Sequence, residues 1–178
     1  MTVSRTIEFQ NTRGWRLRGS LRAVERDNAP VVVIAHNVGS NRHTPSYRPV
    51  TERSLERGIN VLALDLSGHG ESEGRYCDGP EQYARDIAEA SAFVRQTAGF
   101  EHSPIGLAGS GRSGTAALYA MAALDLPART AVLRAPPLYR YERLPTQITS
   151  PCLVIVGSMD PLLASLQRAL RSFPEGSD

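Results

Sequence analysis

Residues 105–118 read IGLAGSGRSGTAAL, and this stretch decides the fold. Its first part, Ile105 to Ala108, is short and apolar, as expected of a buried strand. A glycine-rich turn follows at residues 109–114, and small residues then continue from Ser113 to Ala123 in a segment without helix breakers after the turn. A strand that passes through a tight turn directly into a helix is typical of sheets that helices cover on both faces.

The alternation of strands and helices extends in both directions from this stretch. Apolar runs typical of strands buried on both faces occur at Val31–Ala35, Asn60–Asp65, Thr130–Leu133 and Cys152–Val156. Helices are predicted at about 47–57, 80–98, 113–123 and 161–173. At the start, Thr6–Gln10 and Trp15–Leu21 alternate around a turn, which indicates an antiparallel hairpin. The pattern predicts an α/β fold in one domain over residues 1–178, with a doubly wound, mostly parallel sheet led by that hairpin.

Ligands bind such sheets where the parallel strands end, so the loops at the strand ends are candidate sites. The four distinctive loops are HNVGSNRH at 36–43, DLSGHGESEG at 65–74, GSGRSG at 109–114 and GSMDP at 157–161. In this order, they resemble the loops of the α/β-hydrolase superfamily, especially its dienelactone-hydrolase-like and serine-aminopeptidase-like members. The resemblance covers most of the chain and implies the α/β-hydrolase fold and cleavage of ester or related acyl bonds through a serine acyl-enzyme.

The nucleophile position is the main departure from the superfamily pattern. The superfamily places its serine in G-x-S-x-G between a strand and a helix. Aligning Gly109 with the first glycine puts Gly111 at the serine position, and glycine has no side chain that could attack a substrate. Two other registers stay open: Ser113 lacks the closing glycine and falls inside the helix, and Ser110 would need a glycine at Ala108.

The resemblance implies a second departure, at the histidine of the catalytic triad. Asp160 follows the last strand as the triad acid does, and it is also a good helix N-cap before Pro161. The triad histidine comes after the acid along the chain, but no histidine follows Asp160. We therefore expect the final strand of the fold to be missing and the sequence to be C-terminally short.

Other site residues follow from the resemblance. The backbone N–H groups of Val38 and Arg112 are the expected oxyanion donors. Asn37 replaces the usual glycine, and asparagine tolerates a left-handed backbone. By their loop positions, His36 and His69 are expected to organise their loops, and His102 is expected in solvent. His36, Asn37 and His43 are also expected beside a ligand. Tyr139 and Tyr141 are candidate walls of an open pocket, or surface tyrosines. The short loop after the fifth parallel strand predicts that no lid domain is inserted there.

Composition narrows the class of protein. The chain has 178 residues and a net charge of +2, and all of its 20 basic residues are arginine. This balance gives no electrostatic reason to expect nucleic acid or a membrane surface as a partner.

Two cysteines far apart, Cys77 and Cys152, form neither a disulfide framework nor a metal motif, and we expect no cofactor and no metal. The N-terminus has no apolar signal core and no run is long enough to span a membrane, so a cytoplasmic location is expected.

Two functions remain open at this point. The first is a hydrolase of ester or acyl bonds that is impaired or inactive because Gly111 and the absent histidine leave the triad incomplete. The second is a non-catalytic relative that binds a small carboxylate or acyl molecule. The strand at Cys152 would lie at an open edge of the sheet, which could pair with a second copy to form a homodimer.

Overall fold

A computed structural model describes residues 2–77 and 79–171 of the chain. The strands are β1 (Thr2–Gln10), β2 (Arg16–Val24), β3 (Val31–Ala35), β4 (Asn60–Leu64), β5 (Ile105–Ser110), β6 (Ala128–Arg134) and β7 (Cys152–Ile155). The helices are α1 (Arg48–Glu56), α2 (Pro80–Arg95), α3 (Arg112–Ala123) and α4 (Leu163–Leu170), with short 3-10 turns at Pro45–Tyr47 and Leu144–Gln147.

The seven strands form one sheet in the order β1-β2-β4-β3-β5-β6-β7. The hairpin β1–β2 joins β4 in antiparallel fashion, and the remaining neighbours are parallel. The predicted fold class, a mostly parallel doubly wound sheet with an N-terminal hairpin, is therefore confirmed. The connection from β6 to β7 contains only a 3-10 turn and no inserted lid.

Two predicted helices differ at their ends. Helix α2 stops at Arg95 rather than Ala98, because the chain turns toward Gly99, which has a left-handed φ of 85°. Helix α4 begins at Leu163 rather than Pro161, because the Asp160 carboxylate accepts the Leu162 N–H at 2.8 Å and forms a turn first. Phe173, the predicted end of this helix, lies outside the described residues.

The main core lies between the sheet and the helices α2 and α3. Its largest side chains, all fully buried, include Tyr83 and Ile87 from α2, Leu118 from α3 and Leu107 from β5. The other face of the sheet carries a smaller cluster, in which Leu55 of α1 packs with residues of β3 and β4. Residues of β3 contribute alternately to the two clusters, which explains why its sequence is apolar throughout.

Part of the second face is exposed. Val132 on β6 and Leu153 and Ile155 on β7 are 41%, 56% and 49% exposed, and we call these three residues the outer patch. Val132 and Ile155 also line an apolar cleft of about 410 Å³ between α1 and the sheet. In the described part of the sheet, β7 is an edge strand.

Trp15, the chain's one tryptophan, rests on the glycine-rich loop after β4. A Cβ at Gly74, where φ is 105°, would lie 2.6 Å from the indole Cε3 atom. The next residue, Arg16, donates hydrogen bonds to Glu73 from both its backbone and its guanidinium, each at 2.9 Å. These contacts fix the hairpin against the loop that follows β4. No helix in the described ranges is long and apolar enough to cross a membrane.

Candidate active site

Gly111 forms the sharp turn between β5 and α3. Its φ and ψ are 57° and −132°, a conformation that residues with a side chain rarely adopt. Its N–H donates to the Arg134 carbonyl at 2.9 Å, and its carbonyl accepts from the Gly114 N–H at 3.0 Å. A Cβ at Gly109 would lie 2.7 Å from the Ser113 carbonyl oxygen, so glycine is required where strand and helix pass closest. This is the geometry of a nucleophile elbow, with no side chain at its tip.

The two neighbouring serines have structural contacts. Ser113 is fully buried, and its Oγ lies 2.8 Å from the Ala35 carbonyl oxygen and accepts the Ser110 N–H at 3.0 Å. Ser110 is also buried, and its Oγ is hydrogen bonded to the Tyr47 hydroxyl at 2.7 Å. Ser110 lines the apolar cleft of about 410 Å³ between α1 and the sheet. Both hydroxyls therefore hold the turn against β3 and the segment before α1.

The loop after β3 brings Asn37 and Val38 against Gly111. The backbone of Asn37 is not left-handed, and the left-handed residue of this loop is Gly39, where φ is 82°. Asn37 uses its side chain: its Oδ1 accepts the Val38 N–H at 2.9 Å. A Cβ at Gly111 would collide with this Oδ1 and would lie 3.0 Å from Asn37 Cγ.

His36 organises this loop from beneath. Its Nδ1 donates to the Asn37 carbonyl at 2.8 Å, so its Nε2 is unprotonated and accepts the Leu66 N–H at 3.1 Å. Burial lowers the pKa of His36, which favours this neutral form. The residue is 1% exposed and both ring nitrogens have backbone partners, so in this structure His36 organises the loop.

A buried ion pair connects the loops after β3 and β4. The Arg42 guanidinium contacts Asp65, and their side chains are 4% and 0% exposed. The Asp65 carboxylate also accepts the backbone N–H groups of Arg42 and Glu71 at 2.6 and 2.9 Å. Arg42 reaches the exposed Glu71 carboxylate at 2.8 Å as well. The pair fixes the loop that carries Asn37 relative to the sheet.

The remaining histidines lie in different surroundings. His69 is buried among His36, Tyr76 and Tyr83, with its Nδ1 3.0 Å from the Ser67 carbonyl oxygen. Its Nε2 has no hydrogen-bond partner among the described residues. His43 is exposed and lines a separate cleft of about 280 Å³ beside α1, so the structure does not bring it to the elbow. His102 is exposed.

A cavity of about 150 Å³ lies beside the elbow. Its walls come from the starts of α2 and α3 and from the loop after β6, and they comprise Gly79, Pro80, Arg112, Thr115, Pro137, Tyr139, Arg140 and Tyr141. The charged residues in this lining are the two arginines. The Arg112 guanidinium donates to the Tyr76 hydroxyl at 2.9 Å, and helix N-termini add positive potential. The cavity therefore favours a ligand with acceptor oxygens or negative charge.

The tyrosines of this cavity lie where an open pocket requires walls. Tyr139 is 56% exposed, whereas Tyr141 is half-buried and donates to Glu81 Oε1 at 3.1 Å. Burial, together with the hydrogen bond to Glu81, raises the pKa of Tyr141. Sequence reasoning missed Arg140 and Tyr76. Arg140 lies between Tyr139 and Tyr141, which the sequence analysis named as pocket walls, so its position next to them could have identified it.

Asp160 lies after β7 and caps the turn before α4 through its bond to the Leu162 N–H. None of the hydrogen bonds of the described histidines is made to Asp160. In the described ranges, no group of three histidine, cysteine or acidic residues could hold a metal ion.

Comparison with known proteins places these features in context. The family model described as serine aminopeptidase, S33, matches residues 26–143. Thiohydrolase aneE of Aspergillus aculeatus is 37% identical over 115 residues, which are 63% of this chain and 35% of the thiohydrolase. The chain thus spans about a third of the length of this curated relative.

Solved structures show the same fold. An esterase from Pyrococcus furiosus superposes with a TM-score of 0.85 at 20% identity, over 96% of this chain and 77% of the esterase. A dienelactone hydrolase from Anabaena variabilis superposes with a TM-score of 0.84 at 23% identity, over 97% of this chain and 82% of the hydrolase.

Proposed function

Because the chain belongs to the S33 serine aminopeptidase family of α/β hydrolases, we propose that it binds a small acyl or carboxylate ligand at the elbow without forming a serine acyl-enzyme. The observation that carries the proposal is the conformation of Gly111. The strained turn that presents a nucleophile is kept, and the residue at its tip has no group that can attack a carbonyl.

The class of ligand follows from the donors around the cavity. The resemblance makes the Val38 and Arg112 amides the expected donors to a carbonyl oxygen, and of these two residues Arg112 lines the cavity. Arg112 and Arg140 add two guanidinium groups to the lining, and guanidinium pairs readily with carboxylate. A cavity of about 150 Å³ accommodates a short-chain acid.

Hydrolysis of an acyl bond is the second candidate function. The match to a protein named as a thiohydrolase favours it. For this chain, hydrolysis would require a nucleophile other than residue 111, and Ser110 is the nearest hydroxyl along β5.

The first experiment decides between these candidates. The chain is incubated with p-nitrophenyl acetate and p-nitrophenyl butyrate, beside a Ser110→Ala variant. We expect neither a burst nor turnover above a heat-denatured sample. Turnover that Ser110→Ala abolishes would contradict the proposal and would assign the reaction to Ser110.

A second experiment measures binding directly. Saturation-transfer NMR with butyrate is carried out on the chain, on Arg140→Gln and on Arg143→Gln. Arg143 is exposed on the same loop but does not line the cavity, so it is the matched control. We expect Arg140→Gln to weaken the signal and Arg143→Gln to leave it unchanged. Equal signals from all three proteins would contradict the proposed site.

A further inference from the structure

Asn37 and Gly111 both depart from the superfamily pattern, and they lie in contact. The Asn37 carboxamide rests against the Cα of Gly111, with Oδ1, Cγ and Nδ2 all within 3.3 Å of the position that a Cβ would take. It therefore fills the volume into which a nucleophilic side chain would project.

The same carboxamide also uses a donor of the site. Its Oδ1 accepts the Val38 N–H at 2.9 Å, the group expected to stabilise the carbonyl oxygen of a substrate. The Asn37 Oδ1 atom is thus both bonded to the expected oxyanion donor and next to the position of the nucleophile.

The backbone of Asn37 is itself held by two hydrogen bonds. The Asn37 carbonyl accepts from His36 Nδ1 at 2.8 Å and from the Ser40 N–H at 3.1 Å. Since the backbone of Asn37 is not left-handed, a turn requirement does not explain why asparagine occurs here. The contacts of its side chain do.

We infer that Asn37 is a specificity-determining residue whose carboxamide occupies the acyl-oxygen position of the site and lies in the space that a side chain at residue 111 would enter. The inference rests on the proposed ligand site. A ligand carbonyl or carboxylate must displace the Asn37 amide from the Val38 N–H. Asn37 therefore weakens binding of any ligand, butyrate included, whose oxygen takes the Val38 N–H.

A double-mutant cycle tests the pairing without any ligand. Gly111→Ala is introduced into the chain and into Asn37→Ala, and the four proteins are unfolded with urea. The backbone strain of an alanine at φ 57° is present in both backgrounds and cancels, so the cycle isolates the contact with Asn37. Gly111→Ala raises the equilibrium constant for unfolding by some factor in each background. We expect this factor to be about ten times smaller in the Asn37→Ala background than in the wild-type background, as for residues in direct contact.

Gly114→Ala is the matched control. Gly114 lies in the first turn of α3, and a Cβ there would meet Pro136 rather than Asn37, so its effect should be equal in both backgrounds. Additive effects of Asn37→Ala and Gly111→Ala would overturn the pairing. If Gly111→Ala fails to fold in the wild-type background but folds in Asn37→Ala, the pairing is supported.

Butyrate binding separates this inference from the proposed function. If both hold, Asn37→Ala binds butyrate several-fold more tightly than the chain does. Equal binding by both proteins would contradict the role of Asn37 and leave the ligand site standing. If neither protein binds butyrate, the ligand site fails, and the cycle still decides whether Asn37 and Gly111 are paired.

Discussion

At the scale of single residues, Asp65 connects the two loops after β3 and β4. Its carboxylate is fully buried, contacts the buried Arg42 guanidinium and accepts two backbone N–H groups. Removing one partner of a buried pair leaves the other charge without compensation. The loop that carries Asn37 depends on this pair for its position.

Asp65→Ala should therefore lower the free energy of unfolding by about 3–5 kcal/mol, measured by urea denaturation. Glu52→Ala is the control, because it removes an exposed i,i+4 partner of Arg48 and should barely move the midpoint. Equal effects of the two substitutions would show that Arg42–Asp65 does not act as a buried pair.

His36 gives the fold a dependence on pH. Burial lowers its pKa in the folded protein, so the unfolded chain takes up a proton at a higher pH than the folded protein does. The stability contributed by neutral His36 is full above the ordinary histidine pKa of about 6.5 and is lost as the pH falls below it.

Denaturant unfolding between pH 8 and pH 5 tests this effect. The free energy of unfolding should fall across the range, and His36→Gln should fall less steeply. His102→Gln, at an exposed position, should keep the wild-type profile. Parallel profiles for His36→Gln and the wild type would mean that His36 does not cause the loss.

At the scale of elements, the crossing of β5 and α3 sets the geometry of the elbow. A Cβ at Gly109 would lie 2.7 Å from the Ser113 carbonyl, whereas a Cβ at Gly106 on the same strand would lie 3.5 Å from Thr130 Cγ2, an ordinary contact. Neither glycine has a left-handed backbone, so a left-handed conformation does not account for glycine at either position.

Gly109→Ala should destabilise the protein by about 1–3 kcal/mol through overpacking, and Gly106→Ala should have little effect. Thermal and urea denaturation of the two variants give the comparison. A Gly106→Ala variant as unstable as Gly109→Ala would indicate a general intolerance of β5 rather than a close crossing at the elbow.

Sequence patterns predicted most helices and strands, because the spacing of buried apolar residues within one element is set by residues close together in sequence. The bounds of β3 and the start of α2 at Pro80 match the prediction. The placement of the Asn37 side chain could not be predicted, because it depends on a contact between loops 74 residues apart in sequence. Asparagine at position 37 is compatible with a left-handed backbone, but its sequence position gives no sign of the side-chain contact with Gly111 that the structure shows.

At the scale of the whole molecule, the outer patch is the feature that sequence patterns did not reveal. The residues of β7 are all apolar, so the sequence predicts burial on both faces of this strand. The exposure of one face follows only from knowing which helices cover the sheet. We propose that Leu153 and Ile155, beside the edge of the described sheet, support self-association with a second copy.

Sedimentation velocity over a range of concentrations tests this proposal. The double substitution Leu153→Glu and Ile155→Glu should reduce the fraction of dimer. Met159→Glu, which changes an apolar residue that is 91% exposed outside the patch, should not. A monomer at every concentration would contradict the proposal.

The contact between Trp15 and Gly74 has a practical consequence for fluorescence spectroscopy. The chain has a single indole fluorophore, and it reports on the junction between the hairpin and the loop after β4. Changes in its emission will therefore record whether the hairpin is docked. The cavity beside Gly111 has no tryptophan in its lining, so emission that stays constant on adding butyrate would not indicate an empty cavity.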